Sequence, residues 1–205
     1  MELKEAIEKR RTIRDFLNKE IPEEVITYAI ENAFKAPSYN HMRDWNFLII
    51  KTLEAKAKIL QAEKMNQNID INELEKLFGN EDEIKKAMYL DAIPKQKKMI
   101  LEAPVTIMVV FKPKNSVKKA HSVYDLNCLA SAWACIENLL LSLAEHDVFG
   151  VTFIPQHSEH VKEKFGIPKD LEIAAIIPVG YKSPDARMLK QIPIDIQERI
   201  HRESW

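Results

Sequence analysis

The run from Tyr124 to about Glu145 constrains this chain more than any other stretch. Leu126, Leu129, Ala132, Trp133, Ile136, Leu139, Leu140, Leu143 and their neighbours cover most of a helix circumference. A helix that is apolar all round must be wrapped by protein or by lipid. Asn127, Ser131, Glu137, Asn138 and Ser142 interrupt the run, and a mid-span carboxylate such as Glu137 is expensive in hydrocarbon. The expectation is a buried central helix, suited also to a subunit contact.

The rest of the chain must supply the wrapping. Pro104–Phe111 is a nearly unbroken β-branched run and predicts a central strand buried on both faces. Glu172–Tyr181 predicts a second strong strand, with shorter ones at Asn46–Lys51 and Phe149–Ile154. Helical patterns precede and separate them. Leu3, Ala6 and Ile7 mark a short helix ending near Lys9. A second helix starts at Pro22, its stripe formed by Val25, Ile26, Ala29, Ile30, Ala33 and Phe34. Leu53–Lys64 reads as a third, and Ser158 predicts the cap of a fourth that Gly166 closes. Residues 65–98 change character, being rich in Asn, Lys and Glu. Two short helical patterns there, Ile71–Phe78 and Glu81–Leu90, are expected to break at Gly79-Asn80 and at Pro94. The segment reads as a mobile insertion or lid with too few apolar positions for its own core. The tail from Lys182 is expected to be extended, then helical from Asp195. Strands interleaved with helices around one very apolar helix imply an α+β or α/β layered fold, and 205 residues suit a single domain, 1–205.

Charge and composition exclude several function classes. A net charge of -1 gives no global attraction to nucleic acid or anionic membrane, so any basic site is local. With four glycines and neither GxGxxG nor GxxxxGKS/T, phosphate binding cannot rest on a glycine-rich loop. Cys128 and Cys135 stand seven apart on one helix, too far to bridge, and read as reduced thiols. The opening Met1-Glu2-Leu3-Lys4-Glu5 has no apolar h-region. These two points set the expectation of a cytoplasmic protein.

Two stretches carry candidate chemistry. Arg10, Arg11, Thr12 and Arg14 place three guanidiniums and a hydroxyl within five residues. Arg forks bidentately onto anionic oxygens, so this set suits a phosphate; cations at a helix C-terminus also simply favour the macrodipole. The other stretch, Ala36–Phe47, packs polar side chains between a helix and a strand. It reads as a binding loop or as an ordinary turn initiated at Pro37-Ser38. His157 and His160, at i and i+3, could share a metal, but a third ligand of suitable spacing is missing. No nucleophile–base–orienter set assembles from the sequence, and no catalytic side chain is assigned.

A resemblance joins these stretches. Arg10-Arg11-Thr12-Ile13-Arg14-Asp15-Phe16 resembles the RRSxRxF opening of the FMN-dependent nitroreductase family. Ala36-Pro37-Ser38-Tyr39-Asn40-His41-Met42-Arg43-Asp44-Trp45-Asn46-Phe47 resembles its APSxxNxQPWxF loop. Ala132–Leu141 is similar to its AAAxE/QNLLL central helix, and Gly180-Tyr181 with a basic tail ending at Trp205 to its GYP…W finish. The features occur in family order over nearly the whole chain. The resemblance implies a three-layer α+β sandwich, a mainly antiparallel central sheet flanked by helices, in an intertwined homodimer. It implies FMN at the subunit interface, with NADH or NADPH as electron donor and a small oxidised acceptor, nitroaromatic, quinone or similar, in a ping-pong cycle. The phosphate would be held by Arg10, Arg11, Thr12 and Arg14, with Lys190 from the tail. The partner's copy of Pro37, Ser38, Tyr39, Asn40 and His41 would flank the flavin, and Ile154-Pro155-Gln156 would pass the ring with backbone groups.

The residues fit such a cofactor on physical grounds. A phosphate dianion explains arginines clustered without a glycine loop, and a flavin carries its own redox chemistry. The chain departs from the family pattern at His41, Arg43 and Asp44. Arg43 is expected to stabilise a reduced, anionic flavin, to recognise an acidic acceptor, or to pair with Asp44. The competing readings are a flavin carrier or sensor of the same fold without NAD(P)H turnover, and a nucleic-acid binder working through Arg10–Arg14. No basic patch interleaved with aromatics supports the latter.

Overall fold

A computed structural model describes residues 2–65 and 70–205. The elements are α1 (Leu3–Lys9), α2 (Glu23–Ala33), β1 (Trp45–Ile50), α3 (Leu53–Ala62), α4 (Ile71–Leu77) and α5 (Glu83–Glu102), followed by β2 (Val105–Phe111), α6 (Asn127–Glu145), β3 (Val148–Gly150), α7 (Ser158–Phe165) and β4 (Glu172–Tyr181). The four strands form one sheet in the order β1-β2-β4-β3, every pair antiparallel.

Side-chain alternation along β2 explains the layering. Val105, Ile107, Val109 and Phe111 join one buried cluster with α2 and α6 residues, while Met108 and Val110 join another with α3, α5 and α7 residues. A period of two sends successive side chains to opposite faces, so a strand buried throughout needs helices on both sides. β4 carries one irregularity: Val109 faces Ala175 but Val110 faces Ile173, which leaves Ala174 unopposed. The bulge lets Ala174 and Ala175 pack in the same cluster as α2 and α6, with Ile173 and Ile176 on the other side. The result is helices, sheet, helices: the three-layer α+β sandwich.

α6 is the element the sequence singled out. Ala132, Cys135, Ile136, Leu139 and Leu143 are buried in one cluster with residues of the sheet and α2, and Ala144 is buried as well. Ile136, Leu139 and Leu143 each remove an aliphatic side chain from water, about 1.5–3 kcal/mol apiece. By length and composition α6 could cross a membrane, but its strongest apolar face belongs to the protein core. Outside that face Trp133 remains 38% exposed.

The opposite layer departs from the sequence expectation. Pro94 was expected to end a short helix, yet α5 runs unbroken from Glu83 to Glu102. An internal proline removes one hydrogen bond and crowds the preceding turn, about 3 kcal/mol or more. Here the helix is held on both sides of it, by buried Asp91 before and by buried Met99 and Ile100 after. The Gly79-Asn80 break is present between α4 and α5, and Phe78 stacks on Tyr89 at 4.2 Å across it. Of the segment 65–98, residues 66–69 lie outside the described residues. β3 is three residues long, with Phe153 adding only an isolated bridge to Ile176. The tail forms a single 3-10 turn at Gln197–Arg199 in place of the expected helix from Asp195.

Candidate functional site

The arginine segment is built onto the sheet. Thr12 pairs in parallel with Gly150 at the end of β3, and the Ile13 amide donates to the Gly150 carbonyl at 3.3 Å. Ile13 and Phe16 are buried, which leaves Arg10, Arg11 and Arg14 half-buried at the rim. Each guanidinium is already engaged. Arg10 lies 3.3 Å from the Glu137 carboxylate of α6, Arg11 donates to the Leu189 carbonyl at 2.9 Å, and Arg14 lies 3.6 Å from Asp91 of α5. Burial pushes the Arg14 pKa down, while Asp91 and Asp15 pull it back up. Asp91 is buried and also 2.5 Å from Lys95, which bonds Asp15 at 2.6 Å. The insertion helix is thereby tied to the arginine segment by a neutral chain of four charges.

Three adjoining cavities open around this segment. One of about 160 Å³ gathers Arg10, Arg11, Thr12 and Arg14 with Arg187 and Lys190 from the tail. A second, about 190 Å³, lies between Thr12, Gly150 and Thr152 on one side and Trp133, Glu137 and Leu140 on the other. The third, about 340 Å³, brings Arg14 together with Ile154, Gln156, Glu63, Gln96 and Thr152. The predicted Arg10–Arg14, Lys190, Ile154 and Gln156 thus converge, and Pro155 is buried between the last two.

Sequence reasoning missed Arg187, Asp91 and Glu63. Arg187 sits in the basic tail beyond Gly180-Tyr181, three residues from Lys190. Glu63 left no local signal, because its partners lie 93 and 94 residues away. Its buried carboxylate accepts from the Gln156 amide at 2.8 Å and from the His157 amide at 2.9 Å. It fixes the backbone just ahead of α7, whose first turn has no side-chain cap. His157, not Ser158, is the N-cap residue, and its own side chain makes no capping bond. His157 and His160 stack ring on ring at 5.7 Å, and among the described residues no group of three or more potential metal ligands forms.

The loop after α2 is a separate structure. Tyr39 anchors it twice: its amide donates to Ser131 Oγ of α6 at 2.9 Å, and its hydroxyl meets the Tyr124 hydroxyl at 2.7 Å. Ser38 Oγ accepts from the Arg43 amide at 3.3 Å, and the Lys112 amide closes onto the Asp44 carbonyl at 3.0 Å. Between these anchors Asn40, His41 and Arg43 hold φ of 50°, 56° and 50°. Left-handed backbone costs a non-glycine residue about 1–2 kcal/mol, and such strain concentrates at binding sites. Pro37, Asn40, His41 and Arg43 stay exposed. An Arg43–Asp44 pair, one of the three roles the sequence left open for Arg43, is not among the ion pairs of the described residues. Lys114 Nζ sits 3.8 Å above the Tyr124 ring. The hydrogen bond from Tyr39, then Lys114, pushes the Tyr124 phenol pKa down, while the same bond pushes Tyr39 up.

The two regions occupy different sides of α6. Ser131 holds the loop, whereas Trp133, Glu137 and Leu140 face the arginine cavities. At about 100° per residue these positions stand roughly 180–240° around the helix from Ser131. The small cleft lined by Ser38, Tyr39 and Arg43 shares no residue with the three cavities.

Known proteins match this chain along most of its length. The model of the family described as "Nitroreductase family" matches residues 7–181. An iodotyrosine deiodinase of Thermotoga neapolitana is 27% identical over 181 residues, covering 87% of this chain and 88% of that protein. A putative NADH dehydrogenase/NAD(P)H nitroreductase of Methanothermobacter thermautotrophicus is 26% identical over 211 residues, covering 100% of this chain and 88% of that protein. Among solved structures, an oxidized iodotyrosine deiodinase bound to FMN and 3-iodo-L-tyrosine superposes with a TM-score of 0.75 at 22% identity, covering 100% of both chains.

Proposed function

The chain belongs to the nitroreductase family, and on that premise we propose that it is an FMN-dependent oxidoreductase drawing electrons from NADH or NADPH for a small oxidised acceptor. The observation that carries this reading is the cavity where Arg10, Arg11, Arg14, Arg187 and Lys190 converge around Thr12. Five cations and a hydroxyl about a 160 Å³ space fit a phosphate ester far better than a neutral ligand. The adjoining cavity offers what a planar ring needs: Trp133, Ile136 and Phe149 as apolar walls and Thr12 and Thr152 as polar edges. Bound FMN would accept a hydride and release electrons, leaving the protein to hold and orient it. In this reading Arg11, Thr12, Arg187 and Lys190 hold the phosphate, Arg14 stands at the junction with the 340 Å³ cavity, and Glu63 fixes the Ile154-Pro155-Gln156 segment beside the ring.

The opposite placement of loop and arginines around α6 favours a homodimer. One chain cannot bring Pro37–His41 and Arg43 to its own cavities without crossing the helix, whereas a second copy packed on the exposed Trp133 side can supply its loop. In the same reading the chain is one FMN-binding domain whose segment 65–98 roofs the larger cavity through Ala92 and Gln96, and the protein works in the cytoplasm.

A second reading concerns the acceptor. Several relatives are named iodotyrosine deiodinases, which favours a halogenated phenol alongside nitroaromatics and quinones. In that case a carbon–iodine bond would be replaced by carbon–hydrogen, iodide leaving as two electrons and a proton are delivered. A carrier or sensor without turnover is the remaining alternative.

Titrating FMN into the protein tests the core of the proposal: wild type retains it, and Arg11→Ala weakens retention by about tenfold or more, as loss of a charge-assisted bond implies. Unchanged affinity would remove Arg11 from the site. Anaerobic NADH or NADPH should bleach the flavin band, and re-oxidation by a nitroaromatic, a quinone and 3-iodo-L-tyrosine would rank acceptors. Persistence of the band with both donors would leave the carrier.

A further inference from the structure

We propose that the loop carrying Arg43 and the neighbouring loop after β2, supplied to the cavities of a second copy of the chain, form a rim that selects an aromatic acceptor bearing a carboxylate. This rests on the oxidoreductase reading above and adds the class of substrate. The two loops are joined by three contacts: the Lys112 amide on the Asp44 carbonyl, the Tyr39–Tyr124 hydroxyl pair, and a cleft lined by both Arg43 and Lys112. They place Arg43, Lys112 and Lys114 on one continuous surface of a protein whose net charge is -1. The loop from Lys112 to His121 holds four lysines and no carboxylate.

The nearby carboxylates are engaged away from Arg43. Asp125 accepts from the His121 and Ser122 amides, the Ser122 hydroxyl and Asn115. Asp170 lies 3.6 Å from Lys112, and Asp44 forms no ion pair with Arg43 among the described residues. Arg43 is therefore an exposed cation with no carboxylate partner among the described residues, on a left-handed backbone whose amide bonds Ser38 at the edge of the cleft. Beside it stand the exposed Tyr124 and half-exposed Tyr39, edge to face at 5.8 Å, with Met42 56% exposed. Aromatic faces on the same surface as an Arg43 that has no carboxylate partner among the described residues suit a planar ring that carries an anion. Arg43 is the specificity residue, since its fork can take both oxygens of a carboxylate, and Lys112 and Lys114 supply field.

The test uses FMN-loaded protein, NADH as donor, and two acceptors of one shape, 4-nitrobenzoate and 4-nitrobenzamide. Wild type is expected to favour the benzoate in kcat/KM. In Arg43→Gln the benzoate-to-benzamide ratio falls about tenfold, carried by KM, and in Arg43→Glu it falls further. Raising salt narrows the ratio in wild type, because the rim is exposed. Binding of 4-nitrobenzoate to the oxidised protein, read from the flavin absorbance, should weaken in parallel. A ratio near one in wild type, or one unmoved by Arg43→Glu while both compounds turn over, would overturn the rim and leave the oxidoreductase reading standing. Absence of flavin uptake or of turnover with either acceptor would overturn both. If Arg43→Gln raises KM for NADPH but not NADH and spares the benzoate, the anion belongs to the dinucleotide and the acceptor assignment fails.

Discussion

Two cationic regions lie against α6, and they are built on opposite principles. Arg10, Arg11 and Arg14 are half-buried, each bonded to a carboxylate or a carbonyl, on a segment paired to β3. Arg43 is exposed, lacks a carboxylate partner among the described residues, and rides on strained backbone. A bonded guanidinium has a fixed direction and little freedom to lose when a ligand arrives. An unbonded one keeps its full field but must be ordered by what it binds. The first arrangement suits a cofactor that stays; the second suits a substrate that comes and goes.

The contrast is weakened most by attacking the bonded side. Asp91→Ala leaves Arg14 and Lys95 without their shared buried carboxylate, and breaking such a pair from one side destabilises by about 3–5 kcal/mol. Urea unfolding should register a loss of that order, while a loss under about 1 kcal/mol would mean that the arginine segment is no more committed than the loop. On the strained side, Asn40→Gly should raise stability by up to about 1 kcal/mol and Asn40→Val should lower it by a similar amount, because glycine adopts φ near 50° without the steric cost and the branched residue resists it most. Equal thermal midpoints for both variants would show a relaxed loop.

The smallest effect separates the inner face of α6 from its loop-facing side. Burial pushes the Cys135 thiol up to about 12. Its raised native value makes the folded state hold a proton that the unfolded state releases above its ordinary value near 9. That contribution to stability is complete below about pH 9 and is lost as pH climbs toward 12. At pH 8 a thiol reagent should label half-buried Cys128, which lines the loop cleft, and spare Cys135 in the native protein.

How much of this was legible in the chain depended on the range of each interaction. Patterns with a short period were readable: the β-branched run of β2 and the apolar circumference of α6 mark buried elements by their composition alone. The arginine cluster, too, was visible, since its members are neighbours in sequence. What could not be read was anything defined by a distant partner. Glu63 looks like one more charged residue at a helix end until Gln156 and His157 arrive beside it. Pro94 looks like a stop until Asp91, Met99 and Ile100 show how firmly the surrounding turns are held. Local chemistry also misled at Ser158, a good capping residue that falls one position inside the helix, with His157 at the cap.

A helix gripped on two sides also limits how this chain can vary. Removing one residue between Ser131 and Glu137 would rotate everything beyond the gap by about 100° and draw it back about 1.5 Å. Ser131 would still hold the Tyr39 amide, but Glu137 would swing away from Arg10. Related chains should therefore keep the length of this helix turn for turn while varying beyond Tyr181. In this fold α6 acts as a ruler whose markings cannot be respaced without losing one site or the other.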